Sequence, residues 1–183
     1  AVSLGTLRNC TVDRNRTRGM YVQNQGLGVY GTGGGLQVSG CTFKGNYGRR
    51  AENHAHDDAF GGAIFYGDGA SYRLEITDSL FERNWLNDTG ALGGCLCIST
   101  SGEASLTRCV FRDNGLRPTD DPMAGTGSTM DRGDVYFSGT AAGKHFGVTN
   151  CTFVGTAHQD AVKVGAGTVD FYRCTFAGTA EGY

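Results

Sequence analysis

The sequence has little proline, no dominant charge and no long apolar run. It holds 2 prolines among 183 residues, and its 31 glycines follow no Gly-X-Y period, so a collagen-like chain is excluded. No segment approaches the about 18–20 consecutive apolar residues that a membrane-spanning helix needs. The net charge of −2 comes from interspersed charges of both signs, and a chain without a basic stripe is not expected to bind nucleic acid. The composition indicates a globular protein with many glycine turns.

Two glycine-rich segments lack the context that phosphate binding requires. GVYGTGGG (28–35) is not followed by a helical pattern. GTAAGKH (139–145) is one residue short of a P-loop and has no Ser or Thr after Lys144. Both segments are therefore interpreted as turns.

A repeated pattern, apolar-x-x-Cys-x-Phe-x-x-Asn, organises the whole chain. Its six copies are LRNCTVDRN (7–15), VSGCTFKGN (38–46), ITDSLFERN (76–84), LTRCVFRDN (106–114), VTNCTFVGT (148–156) and FYRCTFAGT (171–179). Ser79 replaces Cys once, Val12 occupies the Phe position of the first copy, and Thr156 and Thr179 replace the last Asn. Spacings between the Cys positions of 31, 38, 30, 42 and 23 residues indicate that the repeat tolerates insertions.

A second repeated element carries a two-residue alternation. Its copies are GGAIFY (61–66), GGCLCI (93–98), GDVYFS (133–138) and AVKV (161–164). If the strand positions at Ile64 and its equivalents face inward, then Phe65 and its equivalents face outward. The predicted outward residues are Phe65, Cys97, Tyr136 and Lys163, with Cys95 on the same face as Cys97.

Each repeat unit corresponds to three short strands and three turns, and no unit can bury its apolar face alone. Coils stacked about 4.8 Å apart would pair every strand with its equivalent above and below and pile up identical side chains. We therefore predict an all-β fold, a right-handed parallel β-helix of five to six coils. Its predicted interior columns are Cys10, Cys41, Cys109, Cys151 and Cys174, then Phe43, Phe81, Phe111, Phe153 and Phe176, and Asn15, Asn46, Asn84 and Asn114 at a turn that tolerates left-handed backbone.

The repeats resemble those of a known family of surface proteins. GGAI (61–64), FKGN (43–46), FERN (81–84) and FRDN (111–114) are similar to the GGA(I/L/V) and FxxN repeats of chlamydial polymorphic membrane proteins and related β-helix proteins. The resemblance implies a pectin-lyase-like β-helix in a surface-exposed or secreted adhesive or structural protein. Pectin-lyase-like enzymes of similar shape cleave or epimerise acidic polysaccharides.

Several loop residues are candidate ligands or catalytic groups. His54, His56, Asp57 and Asp58 are a candidate metal site, with Ca²⁺ as the candidate ion. A stacked rim of acidic residues leads into the second element, namely Asp120, Asp121, Asp131, Asp134 and Asp160, with His158 nearby. Lys163 is the one strand-borne candidate base for lyase chemistry. The alternative, favoured because no group of these residues matches a known catalytic motif, is that these loops are polar because they are solvated.

The cysteines and the glycosylation sequons give indications of the cellular compartment of the protein. Stacked cysteines point in parallel and would strain a disulfide, so free thiols are expected in the column, and Cys95 and Cys97 are the better candidates for bonds between chains. Sequons at Asn9, Asn87 and Asn150, and a further one at Asn15, indicate candidate glycosylation sites in a secreted protein. The outward aromatics Tyr30, Phe65 and Tyr136 either form a contact surface or are covered by the long loops 47–60 and 115–132.

These features predict one domain, residues 1–183, that is an excerpt of a longer protein or a unit in an assembly. Neither an initiator methionine nor a signal peptide opens the chain, and no cap is recognisable at either end. The expected function is that of a non-catalytic extracellular structural or adhesive module, for example in a surface filament or coat. Its expected partners are other protein chains, end to end or side by side, or cell-surface glycans. The alternative is a carbohydrate-active lyase, hydrolase or epimerase, or a glycan-binding module.

Overall fold

The fold is the predicted parallel β-helix. The structure, a computed structural model, describes residues 4–18, 29–31, 34–49, 61–68, 72–87, 93–114, 134–139, 145–155 and 161–178. Within those ranges all regular secondary structure is β-strand, and every strand pairing is parallel. The repeats of the sequence therefore stack as coils.

In the described ranges, twenty strands form six coils. Coil 1 contains β1 (Leu4–Arg8), β2 (Thr11–Asp13), β3 (Arg16–Arg18) and β4 (Val29–Gly31). Coil 2 contains β5 (Gly35–Ser39), β6 (Thr42–Lys44), β7 (Tyr47–Arg49) and β8 (Ile64–Asp68), and coil 3 contains β9 (Leu74–Thr77), β10 (Leu80–Glu82), β11 (Trp85–Asn87) and β12 (Leu96–Thr100). Coil 4 contains β13 (Ala104–Thr107), β14 (Val110–Arg112) and β15 (Val135–Gly139). Coil 5 contains β16 (His145–Thr149), β17 (Thr152–Val154) and β18 (Val162–Ala166), and coil 6 contains β19 (Thr168–Tyr172) and β20 (Thr175–Ala177).

Equivalent strands of successive coils form four sheets. Sheet A has the order β1-β5-β9-β13-β16-β19 and sheet B the order β2-β6-β10-β14-β17-β20. Sheet C is β11-β7-β3, and sheet D is β18-β15-β12-β8-β4. Among the described residues, coils 4 and 5 each have the three strands predicted from the sequence, and coils 1–3 have in addition a short fourth strand in sheet C.

Two columns of left-handed residues turn the chain between sheets. The corner between sheets A and B has φ between 50° and 60° at Asn9, Gly40, Asp78, Arg108, Asn150 and Arg173. The corner that follows sheet B has φ between 51° and 70° at Arg14, Gly45, Arg83, Asp113 and Gly155. We expected the column asparagines themselves to adopt the left-handed conformation, and the φ values at the second corner show that they do not. The residue before each asparagine makes the turn, because the asparagine side chain is needed inside the coil.

Aromatic rings from successive coils stack in the core. Phe43, Phe81, Phe111, Phe153 and Phe176 follow one another with ring centroids 4.8–5.0 Å apart and planes within 8° of parallel. The four rings from Phe43 to Phe153 are at most 1% exposed. The repeat period of the sequence thus becomes a continuous apolar column, because the sheet register places the same side chain above itself in each coil.

The first glycine of the second element has a backbone role. Gly61 and Gly93 have φ of 59° and 65°, each three residues before the start of its strand, β8 or β12. A Cβ at either position would overlap the carbonyl group of Ile64 or Leu96, respectively. Glycine is therefore required where the chain bends into sheet D.

Candidate functional site

The cysteine column is held by hydrogen bonds between coils. The Cys10 N–H donates to Cys41 Sγ at 3.4 Å, the Cys41 N–H to Ser79 Oγ at 3.2 Å, and the Cys109 N–H to Cys151 Sγ at 3.5 Å. Each side chain of the column also donates to the carbonyl group two residues earlier, at 2.8–3.6 Å. The column therefore needs a small side chain that both donates and accepts, which explains why serine replaces cysteine at position 79.

All seven cysteines are free thiols, as expected for the column. A hydrogen bond links the thiols of Cys109 and Cys151 in neighbouring coils. This bond, with burial, raises the pKa of Cys109, and it lowers the pKa of Cys151 to about 7. A disulfide would remove the S–H donors that bond to carbonyl groups, so the hydrogen bonding of the column favours the reduced state.

Substitutions of Ser79 test whether hydrogen bonding or packing selects the residues of this column. Ser79→Ala is expected to destabilise the protein by about 1–3 kcal/mol, because the buried Cys41 N–H and Thr77 carbonyl each lose a partner. Ser79→Cys is expected to stay within about 1 kcal/mol of the wild type, since cysteine serves in the other coils. Urea denaturation measures both variants. Equal losses for the two would show that the hydroxyl group is not the relevant feature.

The asparagine column is a continuous ladder of amide groups. The side chain of Asn84 accepts from the Asn46 N–H at 3.2 Å and from Asn46 Nδ2 at 2.8 Å. In turn Asn84 Nδ2 donates to Asn114 Oδ1 at 3.0 Å and to the Phe43 carbonyl at 3.0 Å. Asn15 joins the ladder through Asn46 Oδ1 at 2.9 Å. Asn46, Asn84 and Asn114 are at most 1% exposed, so the ladder satisfies polar groups that water does not reach.

The residue before strands β8, β12, β15 and β18 of sheet D lies inside the coil. The expectation that Cys95 faces outward is therefore wrong. Ala63, Cys95, Asp134 and Ala161 are equivalent, because each residue's carbonyl accepts an N–H from the coil before it. Cys95 is fully buried in the core and lies 3.8 Å from Asn84 Nδ2. The bend at Gly93 precedes β12, so the two-residue alternation does not extend back to Cys95. Burial is the main cause that raises the pKa of the Cys95 thiol, and the nearby charge of Asp134 raises it further.

Asp134 is buried at this position and not part of a solvated rim. It is 2% exposed, and its Oδ2 atom has no hydrogen-bond partner among the described residues. Burial and the nearby Asp113 carboxylate both raise the pKa of Asp134. The sequence signal was the residue directly before the first strand residue of the second element, because the other copies have Ala63, Cys95 and Ala161 there.

The outward column of sheet D is in the predicted register but is partly covered. Tyr30, Phe65, Cys97, Tyr136 and Lys163 pair in successive strands. Phe65 is 9% and Cys97 is 1% exposed, and burial raises the pKa of Cys97 to about 12. The expectation that Cys97 is available for bonds between chains is therefore wrong, because an outward position on a sheet is not necessarily a solvent position.

Opposite charges face each other on the outer surface of sheets A and B. At the corner between them, Arg108 Nε and Nη2 donate to the two carboxylate oxygens of Asp78 at 2.6 and 2.7 Å. On sheet B, Lys44 lies 3.0 Å and Arg112 lies 3.9 Å from opposite oxygens of Glu82. The hydrogen bond from Lys44 lowers the pKa of Glu82. These pairs join neighbouring coils, so they favour the observed register.

The candidate metal ligands lie outside the described residues. These are His54, His56, Asp57 and Asp58, and the same holds for the acidic positions Asp120, Asp121, Asp131 and Asp160 and for His158. In the part of the chain that the structure describes, no three His, Cys, Asp or Glu side chains are grouped as they would be around a metal ion. The Ca²⁺ site stays a prediction.

The sequons lie at different kinds of position. Asn9 and Asn150 are exposed at the corner between sheets A and B, whereas Asn15 belongs to the amide ladder. Asn87 is the last residue of β11, and its side chain lies outside the described part. Glycosylation at Asn9, Asn87 and Asn150 stays a prediction.

Comparison of the chain with protein-family models, with curated proteins and with solved structures finds no match. The described ranges also contain no helix of the length and apolarity needed to cross a membrane. Functional inference therefore depends on the residues of this chain.

Proposed function

We propose that this chain is a non-catalytic structural module of an extracellular assembly, in which one β-helix stacks on the next. Buried hydrogen-bonding groups of the Cys/Ser and Asn columns join one coil to another. Outer charges such as Asp78 and Arg108 also pair across coils. The side chains of the described coils thus support stacking, which is the property that an assembly of coils requires.

The edge of coil 6 is the observation that carries this proposal. Phe176 and Phe171 belong to inward columns, yet they are 52% and 45% exposed. Phe153, the equivalent of Phe176 one coil earlier, is 1% exposed. The strand edges and rings of coil 6 therefore form a surface of the kind that a further coil buries in the interior of this protein.

Coil 1 of a second copy would continue the columns of coil 6 in register. If the columns continue, Phe176 meets Val12, Phe171 meets Leu7, and Cys174 meets Cys10. The chain already contains one such pair, because Val12 lies opposite Phe43. Leu7, Cys10 and Val12 are only partly buried in coil 1, so both surfaces have apolar area available for contact.

Sedimentation velocity of the chain over a range of concentrations tests the proposal. We expect concentration-dependent association that Phe176→Asp abolishes, because the substitution places a charge in the contact. Ser105→Asp, which changes an outward residue of β13 in an inner coil, is the matched control and should still associate. A short bis-maleimide, which adds to one thiol at each end, should link copies through Cys174 and Cys10, and Cys10→Ser should prevent the link. A wild-type monomer at all concentrations would contradict stacking.

A carbohydrate-active function is the second candidate, and two outward residues of sheet D support it. Tyr136 and Lys163 are neighbours on sheet D and remain partly exposed. Incubation with uronic-acid polymers would reveal unsaturated ends or altered stereochemistry if Lys163 acts as a base. Turnover that Lys163→Gln removes would contradict the structural proposal, whereas the absence of turnover in the wild type would support it.

A further inference from the structure

The backbone directs the Asp134 side chain into the coil. The Asp134 carbonyl accepts from the Cys95 N–H at 3.0 Å and from the Leu96 N–H at 2.9 Å, and the Val135 N–H donates to the Ala161 carbonyl at 3.1 Å. Turning the side chain out to solvent would disturb these bonds at both adjacent coils. The carboxyl group is therefore held inside by the stacking of sheet D.

No described cation compensates the charge of this carboxyl group. Cys95 precedes it in the column and carries a neutral thiol, Ala161 follows it, and Asp113 contributes a second negative charge from the corner after β14. One carboxylate oxygen of Asp134 has no hydrogen-bond partner among the described residues. A buried carboxylate with such an oxygen and no described counter-ion is strongly disfavoured relative to the protonated acid. The neutral acid is the form that this environment accommodates.

We infer that Asp134 is a buried proton-binding site that couples pH to the stacking of coil 4 on its neighbours. With the proton bound, the side chain fits a position that alanine occupies in coils 2 and 5. Release of the proton leaves a carboxylate beside Cys95 and Asp113, and the coil opens around β15 to hydrate it. The stabilising effect of protonation is complete below the ordinary range of an aspartic acid. It is lost as the pH rises through the raised pKa.

Thermal unfolding of the wild type, Asp134→Asn and Asp134→Ala from pH 4 to pH 9, in the presence of a chelator, tests this inference. The Tm of both variants should equal the Tm of the wild type at pH 4 and should exceed it by about 5–10 °C at pH 9. Asp13→Asn removes an exposed carboxylate and is the matched control. Its difference in Tm from the wild type should not grow toward alkaline pH.

Two further measurements separate proton binding from a general effect on stability. The infrared spectrum of the wild type at neutral pH should contain a protonated carboxyl carbonyl band that Asp134→Asn lacks. Hydrogen exchange of the β15 amides should accelerate with pH more in the wild type than in Asp134→Asn, after correction for intrinsic rates. Tm differences that do not vary with pH would overturn the inference. A wild type that gains stability over Asp134→Asn as the pH rises would also overturn it, because Asp134 would then be held as a carboxylate, for example by a cation.

Discussion

Asn84→Ala is expected to lower the free energy of unfolding by about 4 kcal/mol or more, among the largest effects of any single substitution in this protein. The side chain accepts two hydrogen bonds from Asn46 and donates to Asn114 and to the Phe43 carbonyl. Alanine removes all of them, and the partners lie where water does not reach. Each buried group left without a partner costs about 1–3 kcal/mol. Urea denaturation followed by the fluorescence of Trp85, the only tryptophan, measures the loss.

Asn15 provides the matched control for this prediction. It occupies the same column in coil 1, is exposed, and donates one side-chain bond to Asn46. Asn15→Ala should therefore cost about 1 kcal/mol, since solvent can replace the lost bond. Similar losses at both positions would show that the buried amide ladder contributes no more than an exposed amide.

Phe111→Ala is expected to destabilise the protein by about 3–5 kcal/mol. The ring is fully buried and lies 4.8 Å, between centroids, from both Phe81 and Phe153. Strands on both sides hold these neighbours in register, so the coil cannot collapse readily into the space that alanine leaves. Equilibrium denaturation in urea, with circular dichroism as the signal, gives the change.

Phe176 is the corresponding control at the edge of the stack. It contacts one ring of the column, Phe153 at 5.0 Å, and is 52% exposed. Phe176→Ala should cost about 1 kcal/mol in the dilute monomer, because about half of the ring is already in water. If the two alanine variants lose equal stability, burial between rings is not what stabilises the column.

The pH dependence of the whole protein combines contributions of opposite sign. The hydrogen bonds from Arg108 and Lys44 lower the pKa values of Asp78 and Glu82, respectively. Carboxyl groups with lowered pKa values stabilise the protein at neutral pH and lose that effect as the pH falls. Asp134 acts in the opposite direction, because its pKa is raised. The difference between the wild type and Asp134→Asn isolates the buried carboxyl group from these surface pairs.

The functional proposals draw on different parts of the coil. Stacking of a second copy depends on the exposed rings of coil 6, whereas the pH response depends on Asp134 in coil 4. A monomeric protein that shows the expected pH-dependent Tm difference between the wild type and Asp134→Asn would reject the first proposal and retain the second. Association together with a Tm difference between the wild type and Asp134→Asn that does not vary with pH would do the reverse.

The interior columns could be predicted because coils in register repeat the same environment. Cys41, Phe43 and Asn46 recur at constant offsets in the sequence, and parallel pairing places each beside its equivalent. Ser79 could be assigned to the cysteine column from its offset alone. Its role as hydrogen-bond donor and acceptor required the contacts between coils.

The repeat period was enough to predict the parallel β-helix, the stacking units and most of the inward side chains, because a period in the chain becomes a column whenever equivalent strands pair. The contacts in the folded protein were needed to show that Cys95 and Asp134 lie inside, that Cys97 is covered, and that the residue before each column asparagine turns the corner. The physical reason is that burial at these positions depends on bends between strands and on neighbouring chain segments. A two-residue alternation contains no information about either.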